Sequence, residues 1–278
     1  MKTTLRLLCF AIFLFLCPIR LAVAGEAQNA FDQGVKLYRA GKYKEAVAAY
    51  DRAIKDAPQA AEVYNNRGLA YFKLGQNDDA IQNYDAAIKL NGKFSDAHFN
   101  RGNAYLAQQQ YQLAVNDFDA VIKQNPKIPR LYDQRGRAFY GLGQFEKAIQ
   151  DLSQAQKFNP KDPELYYSRA LAYRRLGKHE QAVQDYTEAI KLRPKNAEAL
   201  NNRANSYSLL GQYDLAIKDY DEALKLDAKN ARIYANRGAV KLRQGKNDDA
   251  QRDFKKATEI DPALKNKLES LVSPDAKR

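Results

Sequence analysis

The stretch AEALNNRANSYSLLGQYDLAIKDYDEALKLDAKN, residues 197–230, decides how this chain is read. Tyr220 and Ala223 lie four and seven residues after Ala216, a spacing that puts all three on one face of a helix. Twelve residues before Ala216 stands another small residue, Ala204, followed three positions later by Tyr207, which marks a second amphipathic helix ahead of the first. Gly211 falls between them, where a helix has to end and glycine supplies the left-handed cap. The stretch predicts two helices joined by a tight turn.

Outward from it, the unit recurs without a slip. Ala46, Ala80, Ala114, Ala148, Ala182, Ala216 and Ala250 are each 34 residues apart. Each is followed four residues later by a large apolar side chain: Tyr50, Tyr84, Phe118, Leu152, Tyr186, Tyr220 or Phe254. Each is preceded, at twelve residues, by Gly34, Gly68, Gly102, Gly136, Ala170, Ala204 or Gly238. Turn glycines repeat at Gly41, Gly75, Gly143, Gly177, Gly211 and Gly245, and Pro58, Pro126, Pro160, Pro194 and Pro262 close the second helices. Gln109, Gly92 and Ala228 stand where the pattern has other turn residues, which should perturb those corners and leave the fold intact.

This arrangement resembles the tetratricopeptide repeat, with small, aromatic, alanine and proline positions at that family's offsets. The resemblance covers nearly all of the chain beyond residue 24. It implies an all-α, right-handed superhelical solenoid of seven 34-residue helix-turn-helix repeats, at 27–60, 61–94, 95–128, 129–162, 163–196, 197–230 and 231–264. Residues 265–278 are read as a capping helix and tail, because Leu264, Leu268, Leu271 and Val272 share one helical face and a stack needs its end covered. Ser273 and Pro274 should end that helix.

Residues 1–24 follow a different logic. Lys2 and Arg6 precede an unbroken apolar run from Leu7 to Ile19, and Ala22-Val23-Ala24 offers a small-x-small cleavage site. That is the pattern of a secretory signal with a run too short to span a bilayer, so the chain is expected to be exported to the periplasm or beyond and not to span a membrane once cleaved. Leu16, before Cys17, is too bulky for the lipoprotein pattern. Both cysteines, Cys9 and Cys17, lie in this segment, so the remainder has no disulfide and no thiolate chemistry, and packing alone must hold it.

The net charge of +12 falls to near +9 without the signal, at 42 basic against 33 acidic residues. Nucleic acid is not the expected partner, since export removes the chain from it and the basic residues alternate with acids at helical spacing. The only histidines, His98 and His179, sit in different repeats with no matching nucleophile, so neither a hydrolytic triad nor a histidine metal site is expected. His98 fills the slot held elsewhere by Tyr64 and Tyr132. The chain reads as non-catalytic, with no cofactor and no metal.

Two polar columns remain. Arg67, Arg101, Arg135, Arg169, Arg203 and Arg237 are followed sixteen residues later by Asn83, Asp117, Asp151, Asp185, Asp219 and Asp253. These are read as ion pairs joining the helices of a hairpin, with pairing to the acid of the preceding repeat nearly as consistent. The second column is Asn66, Asn100, Gln134, Asn202 and Asn236, in a slot that the resemblance places on the concave groove. It is similar to the asparagine ladder in the tetratricopeptide part of O-linked N-acetylglucosamine transferase. A side-chain amide both donates and accepts, which matches the backbone of an extended peptide. An inherited polar groove with no ligand is the competing reading.

Along the same groove, Phe31, Val35, Tyr38, Leu69, Phe72, Phe99 and Leu106 form an apolar beginning, and Arg130, Arg137, Arg174 and Arg175 a basic middle. An extended partner segment is expected there, with apolar residues near Phe31, Phe72 and Phe99, acidic ones near Arg137 and Arg174, and its backbone on the amide column. The carboxylate clamp of co-chaperones is incomplete: Asn100 and Arg130 match, but Asn65, Leu69 and Gln134 stand where the resemblance calls for Lys, Asn and a basic residue. A scaffold working through the convex faces, and self-association including a homodimer, stay open beside the peptide-binding reading. For the export reading, N-terminal sequencing of protein from the envelope fraction should begin at Gly25, and retained Met1 would refute it.

Overall fold

A computed structural model describes residues 25–272, so residues 1–24, expected to be a secretory signal, and the tail from Ser273 lie outside the described residues. The described residues form fifteen α-helices and one short 3₁₀ turn, with no strand among them. Their order is α1 (Gly25–Arg39), α2 (Tyr43–Asp56), α3 (Ala61–Lys73), α4 (Asn77–Leu90), α5 (Ser95–Ala107), α6 (Tyr111–Gln124), α7 (Pro129–Gly141) and α8 (Phe145–Phe158). There follow α9 (Pro163–Arg175), α10 (His179–Leu192), α11 (Ala197–Leu209), α12 (Tyr213–Leu226), α13 (Ala231–Arg243), α14 (Asn247–Ile260) and α15 (Lys265–Val272). No helix among them is long and apolar enough to cross a membrane.

Each odd-numbered helix up to α13 packs on the even-numbered one after it, giving hairpins that stack on their neighbours. Two compact units result, dividing between Lys93 and Phe94. The first holds α1–α4, in which α2 also packs on α3. The second holds α5–α15, in which α6 packs on α7, α8 on α9, α10 on α11 and α12 on α13. Successive first helices also touch, α1 with α3 in the first unit and α5 with α7, α7 with α9 and α11 with α13 in the second.

The hairpin core is a ring laid on bare backbone. Tyr50, Tyr84 and Phe118 are buried, and a Cβ built on the facing Gly34, Gly68 or Gly102 would come within 2.5, 2.6 and 2.7 Å of the ring. Small residues at these positions therefore set how closely the two helices approach. Ala46, Ala80 and their equivalents are fully buried beside the rings. Where the sequence has Ala170 and Ala204, the rings of Tyr186 and Tyr220 still bury completely or nearly so.

The turns follow one geometry. Lys42 donates its backbone N–H to Leu37 O at 3.0 Å and Gly41 donates to Tyr38 O at 3.0 Å, the bond pair that closes a helix through a left-handed residue. Gly41, Gly75, Gly143, Gly177, Gly211 and Gly245 supply that residue with φ between 72° and 76°. At the corner expected to be perturbed, Gln109 adopts φ 60° and the same bonds form, Gln110 N–H to Tyr105 O at 2.8 Å. The stack overrides the side chain's preference, at a cost of about 1–2 kcal/mol for an L residue.

At the far end of the second unit, α15 covers the last hairpin through Leu268, which is buried against Ala250, Phe254 and Ala257, with Leu264 half-buried beside it. Leu271, expected on the same covering face, is instead exposed, and the side chain of Val272 lies outside the described residues. Replacing Gln109 by Gly should raise stability by about 0.5–1 kcal/mol, the relieved strain less the extra chain entropy of glycine. A urea midpoint that stays put or falls would refute the strain at this corner.

Candidate functional site

The arginine column is the best-defined polar feature, and it does more than join two helices. Arg135 donates from Nε and Nη2 to the two oxygens of Asp151, at 2.7 and 2.8 Å, within its own hairpin. Its remaining Nη1 donates to Asp119 on α6 of the preceding hairpin at 2.6 Å. Arg237 repeats this with Asp253 and Asp221, Arg203 with Asp219 and the Thr187 hydroxyl, and Arg169 with Asp185 and the Ser153 hydroxyl. In the first unit Arg67 bonds Asn83 at 2.7 Å and Asp51 at 2.5 Å. Pairing thus runs both within and between hairpins. The second partner, however, is not the preceding acid of the column but a residue two positions beyond it. Hydrogen bonds to Asp151 hold the Arg135 guanidinium above its ordinary pKa against the opposing effect of burial.

Local variants obey the same chemistry. His98 faces Asp117 through Nδ1 at 2.8 Å, whereas Tyr64 and Tyr132 in that slot donate to the carbonyls of Pro58 and Pro126. Lys241, in the slot that Tyr207 holds one repeat earlier, lies 2.9 Å from Asp253 and shares it with Arg237.

The expected groove residues divide by what already holds them. Phe31 is buried and packs its ring on Tyr50 at 6.0 Å, and Tyr38 and Leu69 are buried too. Phe72 and Phe99 are half-buried and keep part of each ring open. Asn66, 8% exposed, has no hydrogen-bond partner among the described residues. Asn202 donates to the Tyr167 hydroxyl at 2.9 Å, and that hydroxyl donates to Glu198 at 2.6 Å. Asn236 donates to Asn201 at 3.1 Å, and Gln134 makes a long bond of 3.4 Å to Asp133. Asn100 is engaged within the chain. Part of the amide column therefore joins one hairpin to the next.

The basic residues also differ. Arg130 lies over the Phe99 ring at 4.8 Å, and burial lowers its pKa against the pull of Asp133. Arg137 donates to Asp133 at 2.9 Å. Arg174 has no carboxylate partner among the described residues, and its Nε is buried with no hydrogen bond. No group of three or more metal-ligating side chains converges among the described residues.

The repeat geometry and the comparisons agree on the family. The family model described as the cilia and flagella-associated protein 70 C-terminal domain, a tetratricopeptide-type domain, matches residues 59–270, and the tetratricopeptide repeat model matches residues 34–75. The chain belongs to the tetratricopeptide-repeat family. Among solved structures, the C-terminal part of a tetratricopeptide-repeat protein from Cytophaga hutchinsonii is 20% identical with a TM-score of 0.72, covering 87% of this chain and 100% of that one. MamA from Desulfovibrio magneticus is 23% identical with a TM-score of 0.60, covering 63% and 99%. YrrB, described as a tetratricopeptide-repeat protein with an unusual peptide-binding site, is 20% identical with a TM-score of 0.60, covering 71% and 98%. No curated protein matches the chain.

Two features of this tetratricopeptide-repeat chain escaped the sequence reading. One is the second arginine partner, visible in retrospect as a column of short polar residues, Asp51, Asp85, Asp119, Ser153, Thr187 and Asp221. The other is the Tyr167–Glu198–Asn202 link, which no periodicity announces. Replacing Arg135 by Ala strands the 9%-exposed Asp151 side chain and should cost about 3–5 kcal/mol. Replacing Asp119, 52% exposed, should cost less than about 1 kcal/mol. Equal losses in chemical denaturation would overturn this ranking.

Proposed function

We propose that this chain is a non-catalytic adaptor of the bacterial cell envelope that holds an extended protein segment on the face lined by its first helices. Tetratricopeptide repeats are protein-interaction modules, and YrrB, similar in fold, is described as having a peptide-binding site. The observation that carries the reading here lies on α3, where the unpartnered amide of Asn66 and the part-open ring of Phe72 lie six residues apart on one helix. An amide of that kind can pair with a strand backbone and an open ring can anchor an apolar side chain. Export rests on the pattern of residues 1–24 and places the adaptor in the periplasm.

A second reading has its own support. Phe158, Leu192 and Leu226 end α8, α10 and α12 at 34-residue spacing and are 45, 37 and 43% exposed, forming an apolar row on the second helices. A scaffold or a homodimer would use that row.

Capture of partners from envelope extract by the mature protein separates the two. Phe72→Ala should weaken capture by about 2 kcal/mol and Asn66→Ala by about 1 kcal/mol, with helical content unchanged. Undiminished capture in both variants, together with loss on Leu192→Ser, would move the site to the second-helix row. Asn202 is unsuited to this test because its amide already joins α11 to Tyr167.

A further inference from the structure

The first helices of the second unit carry an imbalance between acids and bases. Of their acids, Asp133 is spent on Arg137, Glu164 on Arg193 and Glu198 on the Tyr167 hydroxyl, and Asp96 at the start of α5 has its pKa raised by burial. Three bases on α7 and α9 have no carboxylate partner among the described residues. Arg130 rests on the Phe99 ring, and Arg175 lies over the Phe145 ring at 5.0 Å. Arg174 has neither a carboxylate nor a ring.

Arg174 also stands apart in its surroundings. It is partly buried near the end of α9, with its Nε closed off and unbonded. Beside it is the Tyr186 hydroxyl, on a fully buried side chain, which faces the Arg174 guanidinium, and Tyr140 lies close by. A partly desolvated guanidinium whose neighbours are neutral hydroxyls is costly to keep without a counter-charge. The rest of the Arg174 side chain stays accessible, and the N–H edge of a guanidinium matches a carboxylate in a two-point contact. The arginine column, with carboxylates of this chain at 2.5 to 2.9 Å, shows how such a group is satisfied when a partner exists.

We propose that Arg174, with Tyr186 and Tyr140 around it, is a subsite for a side-chain carboxylate of an acidic segment bound along the first helices. This rests on the peptide-binding reading above and adds to it the chemistry of the ligand. Specificity comes from charge complementarity: the acids of α7, α9 and α11 are occupied and Arg174 has none, so an Asp or Glu of the partner gains a two-point contact that Asn or Gln cannot make.

The test uses the mature chain and fluorescein-labelled short peptide pools in which Leu and Phe alternate with Glu, the C-terminus amidated. A matched pool carries Gln in place of Glu, and a third is the Gln pool with a free C-terminus. At about 0.15 M salt, where surface charge is largely screened, the Glu pool should bind at least about tenfold more tightly than the amidated Gln pool. Arg174→Gln should remove that gain and Arg174→Lys should keep part of it. Arg175→Gln, the exposed neighbour, should leave it intact. Persistence of the gain in Arg174→Gln, or its equal loss in Arg175→Gln, overturns the subsite. If the Gln pool with the free terminus shows the Arg174-dependent gain instead, the carboxylate is a chain end and the side-chain assignment falls. Equal binding of the Glu and amidated Gln pools overturns the subsite while the peptide-binding reading stands, and binding of no pool overturns both.

Discussion

Everything else in each hairpin depends on how closely a second-helix ring can lie on the backbone of the first helix. The Tyr84 ring leaves no room for a Cβ on Gly68, and the Phe254 ring leaves none on Gly238. That approach brings the two helices near enough for the guanidinium of one to meet the carboxylate of the other at ordinary hydrogen-bond length. It also explains why the buried layer is thin and rich in alanine and tyrosine, consistent with a mean hydropathy of −0.64. A wide core would need large aliphatic side chains that this chain does not have to spare. Burial of rings supplies most of the apolar contact, and alanine keeps the spacing.

On that frame the arginine fork acts as a stitch across three helices. Two of its N–H groups satisfy the acid of its own hairpin, which is almost inaccessible to water, and the third reaches a half-exposed acid on the preceding hairpin. The inner contact prevents an unpaired buried charge, whereas the outer one works in solvent and orients more than it stabilises. Lys255 is instructive here. It occupies the outer-partner column in the seventh hairpin, which is followed by α15 and not by another arginine.

The helices, the turns and the hairpin pairing were legible because each is a local matter. A period of 34, small residues opposite large ones and glycine at the corner each have one reading in helical geometry. Gln109 shows where local reading stops, since its side chain opposes a conformation that the stack imposes. The groove was less legible. Phe31, Tyr38 and Leu69 share the helical face assigned to the groove, yet a first helix in a stack is covered by its own partner and by neighbouring hairpins. The strip left open is narrower than a helical wheel suggests, so Phe72 and Phe99 keep part of their rings open and Phe31, Tyr38 and Leu69 do not. The amides of Asn202 and Asn236 were invisible as inter-hairpin links because their partners lie thirty-five residues away on another helix.

The fork has a consequence for how such a chain can change in length. Its inner partner lies sixteen residues after the arginine and its outer partner sixteen before. One residue inserted into a helix turns everything beyond it by about 100° about the axis. Such an insertion inside α6 or α8 would swing a carboxylate away from Arg135 on one side while the other side stayed in place. Drift by single residues is therefore penalised within the helices, and gain or loss of a complete hairpin is not. A chain built this way can grow or shrink only in whole units, by the same step that would have made it.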